Sequence, residues 1–426
     1  MKTHNLTLSL ILVLTLFSLA QGQSTKSKIE LGVQGTSLTV FPPDVFGDVT
    51  QLGIGGRTTY NFNNVIAADG EINFFPQKGG FFLGQGRGFQ GQFGVKAGKR
   101  FEKFGLFAKA RPGFLSIGNA FFLEEGATLV FNGFTQPNAR IARRTFFTTD
   151  IGGVLEFYPT NRATVRFDAG DTIVRYPKMF SYDVLNFPAL VETRPVTYQH
   201  NFQFTAGVSF RLDDPGHTTT STSSLSTPTF EVGAQFTSLL VDPPTQVCGA
   251  CGVISFATIV HAEPGFGGRF TFNLTDSIGL EAEGNFFTRD HSPFFEPGGH
   301  LAQGQFGVKA GKRLERFGFF GKARPGFVAF TEATELVGTH TQPFGNITIT
   351  VGDFRNGTKF YPSIDVGGVV EFYVSKRWMA RLDFGDTIVR YGEYAVGGFI
   401  ASQAIVRRPP ETRHNFQFTS GIGFRF

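Results

Sequence analysis

Apolar and polar residues alternate one by one along much of this chain, the pattern of β-strands wet on one face only. The clearest run sets Phe202, Phe204, Ala206, Val208 and Phe210 on one side. Gln203, Thr205, Gly207, Ser209 and Arg211 fall on the other. Read by this period, the first half holds eight strands near residues 28–38, 52–62, 65–74, 89–100, 104–116, 146–158, 162–173 and 198–212. The second half repeats the plan near 229–239, 265–274, 278–287, 303–313, 317–329, 361–373, 377–388 and 412–426. The wording repeats as well. GQFGVKAGKR from Gly91 returns letter for letter at Gly304, and DIGGVLEFYP from Asp150 returns as DVGGVVEFYV from Asp365. DTIVRY occurs at Asp171 and Asp386, and NFQFT at Asn201 and Asn415.

The connections alternate between short and long. Tight turns are predicted at Asn63-Asn64, Phe101-Glu102-Lys103 and Pro159-Thr160-Asn161, and again at Thr275-Asp276, Leu314-Glu315-Arg316 and Val374-Ser375-Lys376. Between them the first half has long connections at 39–51, 76–88, 117–145 and 174–197. An up-and-down barrel in an outer membrane has this asymmetry, whereas a Greek-key sandwich has no reason for it. Residues 213–228, DDPGHTTTSTSSLSTP, lack strand periodicity and read as a polar linker. Small inward residues (Gly32, Gly94, Gly98, Gly152, Gly207) suit a narrow interior. The expected fold is therefore all-β: transmembrane, antiparallel, up-and-down barrels in two tandem eight-stranded units, 23–212 and 229–426. One sixteen-stranded barrel is the alternative.

Residues 1–22 read as a signal peptide. Lys2 and His4 precede an apolar run over 6–20, and Ala20-Gln21-Gly22 supplies a small-x-small cleavage site. That run is short for a membrane helix, and no Cys follows it for a lipoprotein anchor. The mean hydropathy of −0.03 is what alternating strands give on average. The 53 Phe and 54 Gly say more: bulk toward lipid, and room for close strand approach. The net charge of +5 is spread with its signs interleaved, unlike a nucleic-acid footprint.

With these features in place, each half resembles the OmpA-like family of small outer-membrane β-barrels. The closing strands carry the likeness, NFQFTAGVSFRL over 201–212 and NFQFTSGIGFRF over 415–426. The resemblance implies a bacterial outer-membrane location, with lipid and lipopolysaccharide as surroundings. It further implies that Phe416, Phe418, Ile422, Phe424 and Phe426 form the terminal signal read by the barrel-assembly machinery. The duplication departs from the single barrel of most relatives.

Inward charge is the main candidate site. Strand parity points Glu30, Glu71, Glu156, Asp168, Arg57, Lys96, Lys109, Arg111 and Arg166 inward in the first half. The second half keeps the types at Glu231, Glu283, Glu371, Asp383, Arg269, Lys309, Lys322, Arg324 and Arg381. These charges form either a salt-bridge plug or a gated ion path, since buried ions need partners or water. Cys248 and Cys251 read as a loop disulfide in an exported protein. A redox site would need a helix N-terminus, and a zinc site further ligands beyond His261. His200 and His414 are equivalent and share the outward parity of Phe202 and Phe416, which places them at the rim. An outer-leaflet lipid enzyme using them is a weaker reading, for no nucleophile elbow accompanies them. Gly84-Gln85-Gly86-Arg87-Gly88 opens a strand rather than a helix, so it is no phosphate loop. No cofactor, metal or nucleic acid is called for. Long loops at 117–145, 174–197, 330–359 and 389–411 differ between the halves and are the expected outer functional surface for an unidentified ligand. The sequence thus points to a structural or surface-interaction protein of the outer membrane, with a porin-like channel as the alternative.

Overall fold

The computed structural model describes residues 28–41, 49–77, 86–131, 134–183, 186–212, 228–242, 261–291, 298–344, 347–396 and 406–426. The expected signal peptide, residues 213–227 of the linker, and Cys248 and Cys251 lie outside them.

The first half contains β1 (Ile29–Val40), β2 (Val49–Asn61), β3 (Ile66–Phe75), β4 (Gly88–Arg100), β5 (Phe104–Phe131), β6 (Phe134–Phe157) and β7 (Ala163–Tyr176). Short strands β8 (Met179–Tyr182), β9 (Leu190–Arg194) and β10 (Thr197–Gln199) precede β11 (Phe202–Arg211). Strands β1 to β7 and β11 pair in sequence, and β11 closes the ring between β7 and β1. The second half holds β12 (Phe230–Val241), β13 (His261–Asn273), β14 (Ile278–His291), β15 (Gly298–Arg313), β16 (Phe317–Phe344), β17 (Ile347–Tyr373) and β18 (Trp378–Tyr391). Then come β19 (Tyr394–Val396), β20 (Val406–Arg408) and β21 (Glu411–Arg425), and β12 to β18 with β21 form a second closed barrel.

The sixteen-stranded alternative is thereby overturned. Glu30 is in register with Arg211 and Glu231 with Arg425, so the bonds that could join the halves close each half on itself. Closure also removes the open edges that a sheet would expose.

The tight turns are fastened by side chains. Asn63 Oδ1 accepts from the amides of Val65 and Ile66, both at 2.8 Å. Thr160, Thr275 and Ser375 use their hydroxyls in the same way at three other hairpins, while the 101–103 and 314–316 turns carry the backbone bonds Phe101 N to Phe104 O and Leu314 N to Phe317 O. All these turns lie at one end of the barrels, opposite the long connections.

Two of the expected long loops are corrected. Residues 117–131 and 134–145, and likewise 330–344 and 347–359, are strand: β5 and β16 each run 28 residues, and their pairing with β6 and β17 continues to Val130–Thr135 and Pro343–Thr348. Each hairpin therefore stands above its barrel as a two-stranded ribbon, by roughly 45 Å at about 3.3 Å per residue. Water reaches both faces of such a ribbon, so nothing enforces the alternation that marks the barrel strands. The 174–197 connection likewise carries β8 and β9, which lean on the first ribbon. Tyr182 Oη donates to Pro137 O at 2.5 Å, and Asn138 Nδ2 to Pro188 O at 2.8 Å.

Candidate functional site

Each lumen is filled in layers. Near the tight turns of the first barrel, Lys96 is paired with Glu156, which also accepts from Tyr158 Oη at 2.8 Å. Glu30 accepts from Asn61 at 3.0 Å and from Arg211 at 3.3 Å. In the middle, Arg166 bridges Asp168 (2.6 Å) and Asp69 (2.7 Å), while Lys109 meets Asp150 at 2.8 Å. Arg111 joins Asp150 at 2.6 Å and Glu71 at 2.7 Å. Arg57 takes neutral partners, Gln34 at 3.3 Å and Ser209 at 3.0 Å.

Above the charges lies a belt of amides. Gln34 donates to Asn73 (2.8 Å), Asn73 to Gln90 (3.0 Å), and Gln90 to Gln203 (2.9 Å). Higher still, Leu38, Val40, Phe75, Leu115, Ile117, Phe146, Val174 and Tyr176 pack together. They share strand parity with the inward charges, so this apolar layer lies across the mouth on the ribbon side.

The second barrel repeats the arrangement. Lys309 pairs with Glu371 and stands 3.3 Å from Glu231. Arg324 meets Asp365 and Glu283, both at 2.5 Å, and Lys322 meets Asp365 at 2.8 Å. Arg381 holds Asp383 at 2.6 Å and is paired with Glu281, the counterpart of Asp69. Arg269 donates to Gln235 at 3.1 Å. Gln235, Asn285, Gln303 and Gln417 rebuild the amide belt. Leu239, Phe287, Leu301, Phe330, Tyr361 and Tyr391 are among the residues of its apolar layer.

All the inward charges named from parity are buried. The structure adds Asp69, Asp150, Arg100 and Arg211 to the first network, and Glu281, Asp365, Arg313 and Arg425 to the second. The same parity rule reaches Asp69 and Asp150, which stand two and six residues before Glu71 and Glu156. Unpaired charges here would cost several kcal/mol each, which is why nearly every cation meets a carboxylate.

The repeated glycines explain the repeated text. A Cβ at Gly94 would stand 2.1 Å from Ala110 O, and one at Gly98 2.1 Å from Leu106 O. Gly307 and Gly311 are equally crowded, by Ala323 O and Phe319 O at 2.1 Å. These glycines let β4 and β15 press against their neighbours on either side of the lumenal lysines Lys96 and Lys309.

His200 and His414 are exposed at the ribbon-side rim. Each meets a carboxylate: Asp171 at 2.5 Å and Asp386 at 2.6 Å. Both acids begin the repeated DTIVRY, which is the signal sequence reading passed over. Among the terminal aromatic positions, Phe416 (46 %) and Phe426 (67 %) are exposed, whereas Phe418 is buried between the barrels.

No family model and no curated protein sequence matches the chain. Solved structures do resemble it in shape. The N-terminal β-barrel domain of Pseudomonas aeruginosa OprF covers 47% of this chain and 98% of its own, at 10% identity and a TM-score of 0.25. Neisserial surface protein A covers 44% and 98%, at 10% identity and 0.28. A mutant ferric enterobactin receptor from Pseudomonas aeruginosa covers 95% and 81%, at 9% identity and 0.31. Similarity at this level leaves function open.

Proposed function

We propose that this chain is an integral protein of the bacterial outer membrane whose two lumens are closed and whose work is done by the ribbons and rims outside. The observation that carries this reading is how neighbouring side chains are sorted. Val33 is 70 % exposed beside buried Gln34, Phe93 66 % beside Gln92, and Phe306 59 % beside Gln305. Burying glutamine while exposing the adjacent aromatic or aliphatic residue is adverse in water and favourable when the outer face meets hydrocarbon. The closed state is supported by the paired charges beneath a packed apolar layer. Outer-membrane lipid and lipopolysaccharide would surround the barrels. The assembly machinery would read the terminal aromatic strand, and the ribbons would meet an outside ligand of unassigned chemistry.

The test joins two measurements. The purified full-length chain in planar bilayers should give no steady conductance steps, and protease added to intact cells should cut within 117–145 and 330–359. Discrete openings from the wild-type chain would favour the porin-like reading and overturn the closed one. Recovery of the chain as a detergent-independent soluble protein would overturn the membrane location.

A further inference from the structure

The seam between the two barrels is built from one surface used twice. The hydroxyls of Ser37 and Ser238 lie 3.4 Å apart, and both are buried. The repeat aligns these two serines with each other, QGTSL against QFTSL. A residue that meets its own counterpart marks a two-fold axis.

The contacts beside it are reciprocal. In the repeat Gly35 aligns with Phe236, and Phe204 with Phe418. Phe204 of the first barrel stacks on Phe236 of the second, with ring centroids 4.0 Å apart and planes at 26°. Phe418 of the second barrel covers Gly35 of the first, its ring 3.2 Å from where a Cβ would stand. Each closing strand thus lays the same phenylalanine on the same position of the other barrel's opening strand. Toward the tight turns, a single buried cluster contains Phe157 with its counterpart Phe372, Val165 with Ala380, and Phe167 with Leu382. Toward the ribbons, β2 neighbours its counterpart β13. The tight turns of both barrels lie at the same end, where Arg316 Nη1 donates to Pro159 O at 2.8 Å. The axis therefore runs along the barrels.

We infer that the chain is a tethered pseudo-dimer, and that the outer face formed by the opening and closing strands is a recognition surface for a second copy of this barrel. The contact is isologous: residue i meets j and j meets i, so the pairing closes on itself. In hydrocarbon, association draws on close packing more than on the hydrophobic effect, and small residues allow backbones to approach. The seam has them at Gly35, Ser37, Ala206, Ser238 and Ser420. Where the copies differ, the sides complement each other: glycine in one barrel and phenylalanine in the other at the position of Gly35 and Phe236.

Cysteine cross-linking of the full-length chain tests this, in a background carrying Cys248→Ser and Cys251→Ser. Ser37→Cys with Ser238→Cys should oxidise within one chain. The internal loop so closed speeds migration on a denaturing, non-reducing gel, independently of protein concentration. Phe93→Cys with Phe306→Cys places counterparts on β4 and β15, outside the seam, and should give no such band. Equal behaviour of the two pairs in folded chains, as judged by heat-modifiable mobility, would overturn the inference. Should the seam cysteines prevent folding, a protease site inserted within 213–227 of the otherwise unaltered chain decides. The cut halves should stay together through size-exclusion chromatography, and their separation would overturn the pairing.

Discussion

Arg111 donates twice to one carboxylate oxygen of Asp150, through Nε at 3.0 Å and Nη2 at 2.6 Å. Its remaining nitrogen reaches Glu71 at 2.7 Å and Asp69 at 3.0 Å, so one guanidinium ties β3, β5 and β6 across the lumen. Removing it leaves four buried carboxylates short of a cation, since Asp168 also stands 3.4 Å from that nitrogen. Arg111→Leu should lower stability by about 3–5 kcal/mol, the cost of breaking a buried pair from one side. Arg111→Lys should recover only part of that, since an ammonium cannot span the same fork. The midpoint of urea unfolding in lipid vesicles, followed by heat-modifiable mobility, measures both. A loss below 1 kcal/mol for the leucine variant would show that water already screens these groups.

Close approach of strands gives a second, sharper comparison. Gly94 has Ala110 O 2.1 Å from the place of a Cβ, while Gly153 has nothing within 4 Å. Gly94→Ala should therefore cost about 1–3 kcal/mol, the range for overpacking. Gly153→Ala should stay within about 0.5 kcal/mol of wild type, as surface changes usually do. Equal effects in the same unfolding assay would argue against the tight spacing of β4 and β5.

Most of the barrel architecture could be read from residues alone, because an apolar outer face on one side and a packed polar lumen on the other impose a strict two-residue period. Phe202 to Arg211 shows it without a break. The tight turns were legible for a related reason: Asn63, Thr160 and Ser375 have the side chains that cap such turns. The ribbons were not legible, since apolar residues such as the cross-strand partners Phe121 and Ile141 stay exposed there and the barrel's sorting of faces is lost. The burial of Phe418 was hidden too. Its parity says only that it points outward, and another barrel is as apolar a neighbour as lipid.

The ribbon of the first barrel is an addition to a finished cylinder. Replacing residues 119–142 by a two-residue turn should leave the unfolding free energy within about 0.5 kcal/mol of wild type. A larger loss would mean that the ribbon helps to hold the barrel. Within the ribbon, Asn138 has φ = +53° and accepts from Gly126 N at 2.8 Å. Asn138→Ala should speed proteolysis of the ribbon in intact cells and leave the barrel unaltered.

The rim histidines bear on the enzyme reading. His200 is 75 % exposed and His414 71 %, and polar side-chain pairs this exposed contribute little. His200→Ala with His414→Ala should leave folding unchanged. The wild-type chain should release no fatty acid from phospholipid or lipopolysaccharide. Hydrolysis by the wild type that the double variant lacks would reinstate the lipid enzyme.

In both barrels the opening and closing strands are neighbours, with Leu212 N donating to Ile29 O at 3.1 Å and Phe426 N to Phe230 O at 2.9 Å. Entry and exit of each cylinder thus sit side by side on the tight-turn face. A gene rearranged to encode 229–426 ahead of 28–212, with a comparable tether between them, would specify the same pair of cylinders. Which copy is translated first is a matter of history rather than of geometry.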